Sequence, residues 1–220
     1  MANISSNINK RKDERSFYFK LKLSIFIVAL WFLVEILDRL FNLNLEVFGL
    51  KPKSTMGVLG IFSFPFLHGD WQHLISNSSS ALVLFTALFV FHEAKSLKIL
   101  LLLYLSSGAL LWLIGDYGSN HIGASGLIYA VAFFLFVASV IQKDRNSMAL
   151  SFFIIMLYGS MIWGIMPYFV QENVSWQGHL SGAIVGSVLA LYEFRNYKYE
   201  RPVFREEEKA FFERHPYDSN

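Results

Sequence analysis

The chain has 220 residues, is 54% hydrophobic with 22 Phe, and only 16% of it is charged, against about 25% in a soluble globular domain. Its apolar residues fall in long runs, which places it in a bilayer, and its net charge of +2 is too small to argue for a nucleic-acid partner. It has no cysteine, so disulfides and thiolate metal sites are excluded.

Taken in chain order, Met1 to Lys20 is polar and charged. It lacks the short basic start and apolar core of a cleaved signal peptide and is read as a tail. A helix needs roughly 20 mainly apolar residues to cross a bilayer. Six stretches qualify or come close: Leu21–Phe41, His73–Phe91, Ile99–Ile114, Ser125–Ile141, Met148–Met166 and Gly178–Phe194. Most links between them are short and polar. The link from Asn42 to Gln72 is longer, rich in Gly, Pro and Phe, and too polar and broken for a seventh span. The sequence therefore predicts an all-α, polytopic membrane protein with six transmembrane helices in residues 21–195. A tail of residues 1–20 precedes it and a charged tail of residues 196–220 follows, expected as a solvated helix or a disordered end.

Lys and Arg fix the expected orientation. They crowd the N-terminal tail, the links after the second and fourth spans (Lys95, Lys98, Lys143, Arg145) and the C-terminal tail. The links Asp116–Ile122 and Tyr168–Gln177 contain none. Both termini are thus expected on the cytoplasmic side, with the long first link facing outward despite Lys51 and Lys53.

Polar groups inside a span are costly and each needs a reason. Gly123-Ala124-Ser125-Gly126 opens the fourth span. Glycine on either side permits a tight turn and close approach to the hydroxyl. A helix N-terminus offers unpaired N–H groups that could stabilise an oxyanion. Taken alone, this four-residue pattern is better read as a helix-start serine beside packing glycines. His179 begins the sixth span, ahead of Gly182-x-x-x-Gly186, which gives a smooth face for packing. A neutral imidazole there could take a proton from Ser125 and return it to a leaving amine. A lone histidine at this level would more simply be interfacial, its tip in water. His73 and Asn77 stand four apart on one face of the second span. They could hydrogen-bond a developing negative charge, or form an interhelical clamp worth about 1 kcal/mol. The three sites agree on depth and side, because all fall at the outer ends of their spans. Independent accidents would scatter them over both faces.

These residues together resemble the hallmark set of the rhomboid family of intramembrane serine proteases. The family's G-x-S-G motif is matched by Gly123-Ala124-Ser125-Gly126, its histidine followed by small residues by Gly178-His179-Leu180-Ser181-Gly182, and its H-x-x-x-N by His73-Leu74-Ile75-Ser76-Asn77. Phe64–His73 resembles the approach to the second span, and the likeness covers about Phe62 to Leu191. The resemblance implies a rhomboid-like six-helix bundle with Ser125 as nucleophile and His179 as base. It implies His73, Asn77 and the serine's own N–H as the oxyanion hole, and Tyr129 stacked on the histidine. It further implies transmembrane protein substrates that enter laterally between the second and fifth spans, with Tyr168–Gln177 as a cap in which Phe169, Val174 and Trp176 close over the site. The residues call for no cofactor and no metal, membrane lipid is the surrounding partner, and a bacterial plasma membrane suits the chain. One departure stands out: many members carry a Trp-Arg pair in the first outer loop, and Asn42–Gln72 has no arginine.

Other polar residues are read more plainly. His92-Glu93 lacks the second histidine of a zinc-protease motif, Ser96 standing in its place. His121 and His68 are read as loop histidines and His215 as part of the tail. Glu35 and Arg39, four apart, are read as a local ion pair. Two rival functions remain: a rhomboid-like protein that binds membrane clients without cutting them, and a small transporter using Glu35 and a polar cavity.

Overall fold

A computed structural model of the chain describes residues 2–170 and 174–198, with side chains described from residue 14 onward. Among the described residues, seven α-helices carry the fold: α1 (Ala2–Phe41), α2 (Thr55–Ser63), α3 (Trp71–Phe91), α4 (Ser96–Ile114), α5 (Ser125–Gln142), α6 (Arg145–Tyr158) and α7 (Trp176–Glu193). Four are long and apolar enough to cross a membrane: α3, α4, α5, and α6 together with the 3₁₀ turns that extend it to Ile165. The protein is an integral membrane protein.

The helix starts follow from local chemistry. Ser54, Asp70, Asp144 and Ser175 each precede a helix and accept a hydrogen bond from one or more first-turn N–H groups, which satisfies donors that the helix itself leaves free. Lys143, in the left-handed region at φ 58°, closes α5 before Asp144 starts α6. Among the described residues there is no strand. An isolated antiparallel pair joins Leu50 to His121 through N–H···O bonds of 2.9 and 2.8 Å, tying the long first link to the turn before α5.

The centre of the bundle is α5, buried along nearly all of its first three turns. It packs against α3, α4, α6 and α7, while α1 leans on α3 and α2 on α4. Trp31, Phe85, Phe89 and Phe134 are fully buried in the main core. At the end of the bundle away from Ser125, Lys20 pairs with Glu93 and Lys95 with Glu193.

The helices differ from the expected spans in three details. The described residues hold seven α-helices where six spans are expected, because α2 forms inside the long first link, where Ser54 caps a nine-residue helix too short to span. The helix that contains the expected first span is longer than the span itself: α1 starts at Ala2, since Met1–Lys20 contains neither Pro nor Gly to stop it. The fifth stretch is α-helical only to Tyr158, and residues 159–165 tighten into 3₁₀ winding. Of the expected C-terminal tail, residues 199–220 lie outside the described residues, His215 among them.

Candidate active site

Three helices bring the candidate residues together. Ser125 is the first residue of α5. No side chain caps that helix, so its first-turn N–H groups are left for another acceptor. The turn before it needs Gly123, which sits at φ +104°, a conformation that L side chains rarely adopt. The Gly123 amide donates to the Phe64 carbonyl at 2.8 Å, fixing this turn to the segment that leads into α3.

His179 lies in the first turn of α7 and is buried. The α5–α7 pair is held by the absence of side chains. A Cβ added at Gly182 would fall 2.0 Å from the Gly126 carbonyl oxygen, and one at Gly186 would fall 2.2 Å from that of Ala130. Only small residues allow backbones this close. The result places His179 Nε2 2.9 Å from Ser125 Oγ. The Tyr129 ring, one turn along α5, stacks on the imidazole with centroids 4.1 Å apart and planes within 6°.

On the other side of the turn stand His73 and Asn77. Asp70, capping α3, accepts from the His73 backbone N–H at 2.7 Å. A Cβ at Gly123 would lie 2.6 Å from His73 Nε2 and 3.4 Å from Asn77 Nδ2, so both side chains converge on the turn that presents Ser125. Asn77 is buried and its amide nitrogen has no hydrogen-bond partner. Leaving a buried donor unpaired is expensive, and this one faces the turn that presents Ser125.

Several participants carry no signature in the sequence. His179 Nδ1 lies 2.9 Å from the carbonyl oxygen of Gly164, and Tyr129 donates its hydroxyl to the carbonyl of Met161 at 2.9 Å. Both acceptors are backbone atoms of the 3₁₀ segment after α6, and a carbonyl is supplied by any residue type. The glycine at 164 is their only hint: a Cβ there would meet Tyr129 Oη at 1.9 Å.

Arg39 supplies what the first loop lacks. Reaching from the end of α1, it stands over the Trp71 ring at 5.6 Å, donates to the Gly69 carbonyl at 3.1 Å and pairs with buried Glu35 at 2.6 Å. The i,i+4 ion pair expected for Glu35 and Arg39 is present, and it also braces the approach to α3.

His68 is buried with its ring 5.1 Å from that of His73, and neither of its nitrogens has a partner. Burial, reinforced by the neighbouring His73, pushes it down to about 4. His121 does not face Ser125. It bonds Ser119 at 2.8 Å and Ser175, the α7 cap, at 2.7 Å, and burial lowers its pKa. Phe169 is exposed and lies against Trp163, Val174 and Trp176 are half-buried, and residues 171–173 of the expected cap lie outside the described residues.

The Rhomboid domain family matches residues 56–196. An uncharacterized protein of Mycobacterium tuberculosis is 37% identical over 169 residues, covering 74% of this chain and 70% of that protein. One of Mycobacterium leprae is 35% identical over 169 residues, covering 74% of this chain and 67% of that protein. The rhomboid-related protein 1 of Caenorhabditis elegans is 28% identical over 165 residues, covering 70% of this chain and 46% of that protein. With the family's domain matched across well over half of its length, and through every helix that carries the site, the chain belongs to the rhomboid family.

Proposed function

We propose that the protein is an intramembrane serine endopeptidase that cuts transmembrane segments of single-span membrane proteins. The observation that carries this reading is the 2.9 Å contact between His179 Nε2 and Ser125 Oγ. A hydroxyl at that distance donates to an imidazole lone pair and becomes a nucleophile as its proton leaves. Ser125 Oγ attacks the scissile carbonyl while Nε2 takes the proton. The oxyanion that forms is met by the Ser125 N–H, the Asn77 amide and His73. Nε2 then gives the proton to the leaving amine, and a water activated by the same imidazole releases the acyl group. The pair works as a dyad, with Tyr129 stacked beneath the base.

Family membership and the unpaired Asn77 donor both support this reading. In the proposed topology, six spans (α1, α3, α4, α5, α6 and α7) place both termini on the cytoplasmic side and the dyad near the outer surface, where water reaches it. Substrate enters between α3 and α6, and the helix to be cut unwinds locally, which favours weak helix formers near the cleaved bond. A bacterial plasma membrane is the proposed location, in keeping with the mycobacterial relatives.

The test uses purified full-length protein in detergent with a fluorophosphonate probe and a model single-span substrate. Labelling and cleavage are expected, and both should vanish in Ser125→Ala and His179→Ala. A wild-type protein that stays unlabelled and leaves the substrate intact would remove the protease reading.

A further inference from the structure

A neutral imidazole carries one proton on two nitrogens, and only the bare nitrogen can accept from a serine. In a serine triad a carboxylate holds the proton on the far nitrogen. In this site that neighbour is a backbone carbonyl. His179 Nδ1 lies 2.9 Å from the Gly164 oxygen. A carbonyl only accepts, so Nδ1 keeps the proton and Nε2 turns its lone pair to Ser125.

Two sequence features make that carbonyl available. The segment 159–165 is wound as a 3₁₀ helix, in which the carbonyl of residue 164 would accept from the N–H of residue 167. Residue 167 is proline, which has no N–H. The residue that offers the oxygen must also be glycine, because a Cβ at 164 would lie 1.9 Å from Tyr129 Oη and 3.2 Å from His179 Nδ1. Tyr129 is itself tied to the same segment through the Met161 carbonyl, so one short stretch of backbone holds both the base and the ring beneath it.

We infer that Gly164 is a positioning residue: its carbonyl, kept free by Pro167, selects the His179 tautomer that can receive the Ser125 proton. The catalytic consequence rests on the protease reading above, whereas the tautomer does not.

The experiment therefore reads both. Full-length protein carrying ¹⁵N-histidine is observed by NMR in detergent, with the His179 signal assigned by its loss in His179→Ala, and fluorophosphonate labelling is followed in parallel. Wild type should show neutral His179 protonated at Nδ1. Gly164→Ala should give a mixture of tautomers and slow labelling by at least roughly tenfold. Gly159→Ala is the control, since its Cβ would meet nothing closer than 3.8 Å, and it should match wild type in both. Adding Tyr129→Phe to Gly164→Ala removes the hydroxyl that the new methyl strikes, and should restore part of the Nδ1–H signal and of the labelling. A wild-type His179 protonated at Nε2, or a Gly164→Ala protein that folds and keeps the wild-type tautomer, overturns the inference while Ser125-dependent labelling still upholds the protease. A tautomer change in a protein whose wild type neither labels nor cuts the model substrate supports the inference and removes the protease.

Discussion

The α5–α7 seam and the α6 span stand on either side of the same imidazole and are built in opposite ways. Along the seam, Gly126 and Ala130 meet Gly178, Gly182 and Gly186 with backbone nearly touching backbone. Of α5's apolar window 61% is buried, against 17% for α6 with its 3₁₀ extension. The outer face of α6 presents Phe152, Ile155 and Met156, all exposed in the isolated chain and suited to lipid. The difference separates two tasks. Ser125 and His179 are fixed to each other across a seam of backbone-to-backbone contact, while the carbonyls that hold Tyr129 and His179 come from the least buried of the four long apolar helices. Association between helices in a bilayer rests on close packing and polar contacts, so those two hydrogen bonds add to the packing of Tyr158 and Met161 on the core in holding this end of α6 to the site.

The largest effect is expected where the seam is forced apart. Gly182→Val places a branched side chain where even a Cβ would lie 2.0 Å from a carbonyl. No rotamer relieves a clash with backbone, so α7 must retreat from α5. We expect a loss of about 3 kcal/mol of stability, measured by denaturation in detergent, together with loss of probe labelling as Ser125 and His179 separate. A variant of wild-type stability would show that the seam is softer than the interatomic distances indicate.

The same contrast explains what the sequence revealed. Side-chain identities that recur at helical spacing were legible. Ser125, His179, His73, Asn77 and Tyr129 could be picked out as residues, and the helical period sets them at matching ends of their helices, where the structure brings them together. Gly182 and Gly186 were legible as a packing face because four-residue spacing of glycine leaves few other readings. The helix α2 was not, since its nine residues, within a Gly- and Pro-rich link, look like loop until Ser54 is seen to cap them. The partners Gly164 and Met161 act through carbonyl oxygens, which every residue type possesses. Arg39 was visible as half of an ion pair, but its reach to Trp71 and Gly69 depends on the angle at which α1 meets α3, and periodicity does not encode that angle.

A smaller effect is expected at the start of α6. Asp144 accepts from the Ser147 hydroxyl at 2.5 Å and from the backbone N–H groups of Asn146 and Ser147 at 3.0 and 3.1 Å. The Ser147 hydroxyl, followed by those amides, holds its carboxyl below the ordinary 3.8. A depressed carboxyl stabilises the fold while it is ionised, so this contribution is present at neutral pH and fades as the pH falls below about 3.8. Asp144→Ala should cost about 1 kcal/mol at neutral pH, and the gap from wild type should narrow in acid. A gap that stays constant with pH would assign the cost to something other than the charged cap.

The smallest effect belongs to the face of α6 that touches nothing. Met156 is 68% exposed, and in the bilayer its side chain exchanges one apolar neighbour for another whether or not α6 is docked. Met156→Ala should therefore change stability by no more than about 0.5 kcal/mol. It should leave probe labelling at the wild-type rate, because the two carbonyls that reach Tyr129 and His179 lie beyond Tyr158, where the α-helix has already given way to 3₁₀ winding. If Met156→Ala instead slows labelling while stability is unchanged, the lipid face of α6 bears on how its far end sits against the imidazole. The two sides of the site would then be coupled rather than built independently.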